Sequence, residues 1–219
     1  IGDETDRWNP EPMIEFKFNA HQNVLPFRQD GVGLPLIEGK MIWQYDLYYA
    51  SWSEQQGEYS LNDTAQLSVL RPKYTVAEDA VVRSFSTRTN FAGGHEKDFK
   101  CFRVGLRDVA ASGNERAAVA TLIPPDVLCV ETVKIIRPLP ATVLAFLLGV
   151  WNSFVFDFYA RLKVTLHFNY HDIVTFPLPR LLAENRTFVQ IAYRVARLVC
   201  VSDTLTVFWS SLVKALPMA

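Results

Sequence analysis

The chain has 219 residues, enough for one domain with a sizeable core or two small ones, and a formal net charge of −1. That balance excludes binding of nucleic acid by bulk electrostatics, which needs several cations aligned on phosphates. The charge is uneven: residues 1–70 hold 4 Lys/Arg against 11 Asp/Glu, residues 71–137 hold 11 against 8, and residues 138–219 hold 7 against 4.

Residues 1–33 are polar and carry Pro10, Pro12 and Pro26, and they read as a lead-in segment docked on something outside the chain. Leu36 to Asp46 is predicted to form one or two strands, with Lys40 and Gln44 as polar points, before a run biased to aromatics at Tyr45, Tyr48, Tyr49 and Trp52. Pro72 to Phe85 reads as a short helix with Val76, Ala77, Ala80 and Val81 on one side, and 90–100, with Gly93-Gly94, as a loop.

The stretch 102–125, FRVGLRDVAASGNERAAVATLIPP, is predicted to be a hairpin. Phe102, Val104 and Leu106 alternate with Arg103, Gly105 and Arg107, the period of a half-buried strand. A second arm, Val119 to Ile123, must end at Pro124-Pro125, because proline cannot donate to a ladder. The tip carries Asn114, Glu115 and Arg116. Arg donates twice to guanine, Asn pairs bidentately with adenine and Glu accepts from the cytosine amine, so these three types can read base edges. They are also ordinary residues of a solvated turn.

From Pro140 the period changes: Val143, Leu147, Val150, Phe154 and Phe158 recur every three or four residues, predicting a buried helix that continues to Lys163. Asn152, Ser153 and Asp157 interrupt it before membrane length, so no membrane span is expected. Arg161 and Lys163 suit the helix C-terminus and could equally touch phosphate. Ile173 to Pro179 reads as a strand, Glu184 to Val201 as an amphipathic helix, and Leu205 to Leu216 as apolar without a decided form. The fold class expected is therefore α+β: a β-rich region over 34–137 with helices over 138–219 packed on it.

Other constellations are weaker. Asp30, Glu38 and Lys40 resemble a nuclease carboxylate-lysine set only loosely, their acids being close in sequence. His167 and His171 have helical ligand spacing without a third ligand nearby. Cys101, Cys129 and Cys200 are odd in number and far apart, which points to a reducing cytosol and not to a disulfide framework.

Three blocks carry a resemblance. LPLIEGKMIWQYD (34–46) resembles an "EGKMIxQYD" block; Arg107-Asp108-Val109-Ala110, Asn114-Glu115-Arg116 and Ile123-Pro124-Pro125 form a second. LGVWNSFVFDFYARLK (148–163), then Asn169-Tyr170 and Phe176-Pro177-Leu178-Pro179, form a third. In this order they resemble the target-recognition domain of type IIG restriction enzymes and adenine-specific DNA methyltransferases, the TaqI-like C-terminal specificity domain, and are similar also to type I specificity subunits. The resemblance implies duplex DNA as partner and Arg107, Asn114, Glu115, Arg116, Lys40, Gln44, Lys163, Asn169 and Tyr170 as DNA-contacting residues, on one shared surface. It further implies a cytoplasmic parent whose upstream methyltransferase domain uses S-adenosylmethionine, with Mg2+ where a nuclease is attached.

This chain, which starts at Ile1 without a leader, then reads as a non-enzymatic piece of that parent with no cofactor of its own. Asn9-Pro10-Glu11-Pro12 lacks the second proline and stacking ring of the loop that holds a flipped adenine, and Gly31-Val32-Gly33 falls short of a nucleotide loop. A protein-protein docking or scaffold domain, worked by the helices, is the alternative.

Overall fold

The computed structural model describes residues 10–18, 27–63, 69–110 and 113–216. Among them lie strands β1 (Pro12–Met13), β2 (Leu34–Ile37), β3 (Ala50–Ser53), β4 (Glu58–Leu61), β5 (Tyr74–Val76), β6 (Arg103–Arg107), β7 (Ala120–Ile123), β8 (Leu128–Cys129) and β9 (Val133–Ile136). The helices are α1 (Glu78–Ser86), α2 (Ala141–Trp151), α3 (Phe154–Lys163), α4 (Tyr170–Thr175), α5 (Arg186–Val199) and α6 (Thr206–Ala215). The class is α+β.

The expected hairpin is the centre of it. β6 and β7 pair antiparallel, Arg103 opposite Ile123 and Leu106 opposite Ala120, within a four-stranded antiparallel sheet of order β1-β9-β6-β7. Both faces of this sheet are buried. On one, Val104, Leu106, Leu122 and Ile136 pack against α2, α5 and α6; on the other, Ile123, Val133 and Ile135 pack against Leu36, Ile37, Val81 and Phe85. The second layer is a smaller sheet in which β2 lies between antiparallel β5 and parallel β8. A β3-β4 hairpin stands apart.

α2 is apolar all round because sheet, α5 and α6 surround it, whereas α5 buries Phe188, Ala192, Val195 and Val199 and exposes Arg186, Gln190, Arg194 and Arg197. The two helices cross tightly at Gly149, where a β-carbon would come within 2.6 Å of Ile191 Cγ2.

Several expectations need correction. Arg103 is not on a solvated face: it is fully buried, paired with buried Glu15, and its guanidinium also serves the Phe99, Pro124 and Val127 carbonyls. The lead-in segment, over its described residues 10–18, docks on this chain: β1 pairs with β9, and Phe16 stacks on Phe85 at 5.2 Å. Asn9 and Pro26 lie outside the described residues. Only Leu34–Ile37 of the block at 34–46 is a strand, followed by a 3-10 turn at Gly39–Met41. The helix expected over 72–85 is β5 followed by α1, and 90–100 contains 3-10 turns.

The single helix expected to reach Lys163 is two, bent by 67° between α2 and α3, because Ser153 caps α3 by accepting the Phe156 amide at 3.2 Å. The strand expected at 173–179 is instead preceded and overlapped by α4, begun by Asn169, whose amide is held by Asp172 at 3.1 Å. Leu205 to Leu216 resolves as α6 after a short 3-10 turn. No single helix among the described residues is long and apolar enough to cross a membrane.

Candidate functional site

Two sequence-distant segments meet where β6 ends. Gly39 donates its amide to Thr132 Oγ1 at 2.9 Å, and a β-carbon there would meet the Thr132 carbonyl at 2.8 Å and Arg107 Cγ at 3.2 Å. The Glu-Gly-Lys sequence therefore needs its glycine for close approach, and the approach sets Glu38 and Lys40 beside the hairpin. The result is a cleft of about 410 Å3 lined by Lys40, Trp43, Arg107, Val109, Asn114 and Glu115, with Glu38, Gly39 and Thr132 at its floor and flank.

Each side of the cleft is built differently. Glu38 accepts from the Tyr59 hydroxyl, and Lys40 lies 5.5 Å from the Tyr59 ring centre. Burial, reinforced by Glu38, pushes that phenol far above its usual range, so it stays a donor. Trp43 opens a tight turn closed by reciprocal bonds with Asp46, in which Tyr45 takes the left-handed conformation at φ 64°. Its ring stacks on Tyr49 at 5.2 Å, and the Arg107 guanidinium lies over it at 4.9 Å. Arg107 is half-buried, its Nη2 makes only a long 3.4 Å bond to the Arg116 carbonyl, and its Nε has no hydrogen-bond partner among the described residues. Burial holds this guanidinium below the usual arginine range, against a smaller opposing pull from Tyr49.

The loop on the other wall is held from behind by the break between α2 and α3. Asn152 clamps Ala120 with both ends of its amide, at 3.0 and 2.9 Å. Asp157 accepts from the Ala117 and Ala118 amides at 2.7 and 2.9 Å and from Arg161 Nε at 2.9 Å. Arg161 in turn donates to the Asn114 and Glu115 carbonyls, at 2.9 and 2.7 Å. Burial alone would raise the Asp157 carboxyl, but the Ala118 amide and the guanidinium groups of Arg161 and Arg116 outweigh it and hold it below 3.8, the ordinary value.

Of the residues expected to touch DNA, Lys40, Arg107, Asn114 and Glu115 share this cleft. Arg116 corrects the expectation of an exposed tip: it is buried, donates to the Asn152 and Ser153 carbonyls at 2.8 and 3.2 Å, and lies 3.5 Å from Asp157 and over Phe154. Gln44 is also turned to structure, donating to the Asn152 carbonyl at 3.2 Å. Lys163 donates to Thr175 and covers Phe176, and Asn169 caps α4, both outside the cleft. Tyr170, 62% exposed, lines a different cleft, so the expected single shared surface does not hold for all nine. Ala111 and Ser112 lie outside the described residues.

Trp43 was missed by sequence reasoning, although an aromatic one residue before the polar Gln44 was a visible signal. The looser sets disperse: Asp30 pairs with Arg28, and His167 Nδ1 lies 2.6 Å from Asp108. Among the described residues no group of three His, Cys, Asp or Glu could hold a metal ion. In comparison with known proteins, no protein-family model and no curated protein matches the chain.

Proposed function

We propose that the chain reads duplex DNA with the cleft between 38–43 and 107–115, as the specificity domain of a larger adenine-specific DNA methyltransferase of a restriction-modification or phage-defence system. The observation that carries this reading is Arg107. Its guanidinium is held flat on Trp43, half-buried and short of acceptors, and it faces a cleft that also presents Asn114 and Glu115. A guanine edge offers O6 and N7 in the geometry that a guanidinium fork matches, while Glu115 suits a cytosine amine and Asn114 an adenine. Lys40, exposed beside them, suits a phosphate.

Support also comes from the way the three blocks of the resemblance converge: Gly39, Arg107 and the helix break at Asn152 all bear on the loop at 113–120. In this reading the chain performs no chemistry. S-adenosylmethionine and the flipped base belong to the methyltransferase domain of the parent, and Mg2+ to a nuclease where one is attached.

One observation favours a second reading, a docking or scaffold domain. α3 presents Phe154, Val155, Phe158 and Leu162, exposed by 83, 80, 66 and 71%, and contiguous apolar surface marks association. Titrating labelled mixed-sequence duplex with the chain at two salt concentrations separates the readings. The first expects weak binding with a shallow salt dependence, because a net charge of −1 leaves few phosphate contacts. No binding at the lower salt would favour docking, and tight, steeply salt-dependent binding would contradict the assignment of base reading to a neutral domain.

A further inference from the structure

A second cleft, of about 470 Å3, lies where β1, β9, residues 88–90 and α4 meet. Its charged lining is Lys17, Arg88, Lys134 and Arg137 against Glu11 alone. The fold fixes three of these cations. Arg88 donates to the Ile14 carbonyl at 3.0 Å and to that of Glu15, and lies over Phe91 at 4.7 Å. Arg137 pairs with Asp98 at 2.9 Å and Glu11 at 3.2 Å. Lys134 lies 2.9 Å from Asp108 and donates to the Glu131 carbonyl at 3.0 Å.

Glu15 gives Arg88 its carbonyl and not its carboxylate, because the carboxylate accepts from Arg103 and from the Cys129 amide at 2.8 Å. The lining therefore carries more positive charge than its acids neutralise. The cleft also adjoins the reading cleft. Thr132 lines one and Lys134 the other, and two residues of extended chain span about 7 Å. Asp108 stands between them, its carboxylate taken by Lys134 and His167.

We infer that this second cleft binds a phosphodiester of the DNA backbone flanking the bases read at the first, an inference that rests on the function proposed above. A space of this volume admits a nucleotide unit. Because phosphate is the same in every sequence, the site adds affinity and register and leaves the choice of base to the first cleft. A free phosphate offers the same chemistry, so the test distinguishes the two sources.

Asn90→Asp places a carboxylate on the cleft wall and Lys17→Gln removes a cation from it; both positions are exposed, and thermal melting checks that both variants fold. Duplex binding by the 219-residue chain is measured over a salt series, and inorganic phosphate is titrated in parallel by calorimetry. Both variants are expected to weaken binding several-fold on duplexes of every sequence. Lys17→Gln should also lower the slope of log K against log salt by about 0.9. If the wild-type chain binds duplex and both variants match it in affinity and slope, the inference is overturned while the proposed function stands. Loss of inorganic phosphate binding in the variants with duplex affinity unmoved would make this a free-phosphate site, and overturns it equally. If the wild-type chain binds no duplex at low salt, the reading beneath the inference fails first.

Discussion

Arg107 and Arg116 lie nine positions apart on one hairpin and do opposite work. Arg116 is enclosed by the Asn152 and Ser153 carbonyls and Asp157, whereas Arg107 is half-buried with an unpartnered Nε. Arg116→Met leaves a buried carboxylate and two carbonyls short of a donor, and is expected to cost about 3 kcal/mol. Arg107→Met removes a poorly satisfied charge from a half-buried site. It should leave stability within about 1 kcal/mol of wild type while weakening duplex binding. Chemical denaturation of both variants decides this, and equal losses would make Arg107 a structural residue like its neighbour. Asp157 adds a pH dependence with a definite sign. Its folded-state pKa lies below 3.8, so its contribution is complete above that value and is lost as pH falls through the depressed one. Asp157→Asn should therefore lower stability at neutral pH and flatten its fall in acid; an unchanged acid limb in a pH series of unfolding curves would sink the argument.

At the scale of elements, what was legible in the sequence depended on how local the cause was. The β6-β7 hairpin and α5 were readable because alternation, a proline pair and a 3.6-residue stripe are written in consecutive residues. The α2-α3 break was also written locally, in Ser153 and Asp157 as cap and first-turn acid, but a continuous apolar run masked it. The same holds for α4, whose Asn169 and Asp172 capping pair was outweighed by the strand-like residues after it. Arg103 was not legible, since the partner that lets it be buried, Glu15, lies 88 residues away. That pair ties the lead-in segment to the central sheet. Arg103→Met or Glu15→Gln alone should cost about 3–5 kcal/mol by stranding one buried group, and the double variant far less than the sum. A double-mutant cycle in denaturant measures the coupling, and additive losses would show that the two do not act as a pair.

For the whole molecule, the α+β class followed from element order, while the site did not follow from the hairpin alone. Lys40 and Trp43 come from a segment some 65 residues upstream of Arg107, and only the packing of Gly39 on Thr132 brings them to it. Sequence order also gave no reason to separate Tyr170 from that cleft; the 67° bend and α4 are what turn it toward the second one. The charge distribution fits such an arrangement, with few phosphate contacts and a small set of side chains presented to the groove. Glu115, exposed on the cleft wall with its backbone held by Arg161, is the residue whose change bears on base reading with least risk to the fold. Glu115→Lys exchanges an acceptor for a donor and should favour guanine where cytosine was preferred, a discrimination worth about 1–3 kcal/mol at one position. The direct test is selection from a randomised duplex library by the wild-type chain and by Glu115→Lys in parallel. The expected result is one enriched motif for each, differing at a single base pair; identical motifs, or none enriched by the wild-type chain, would contradict the assignment of base reading to this cleft.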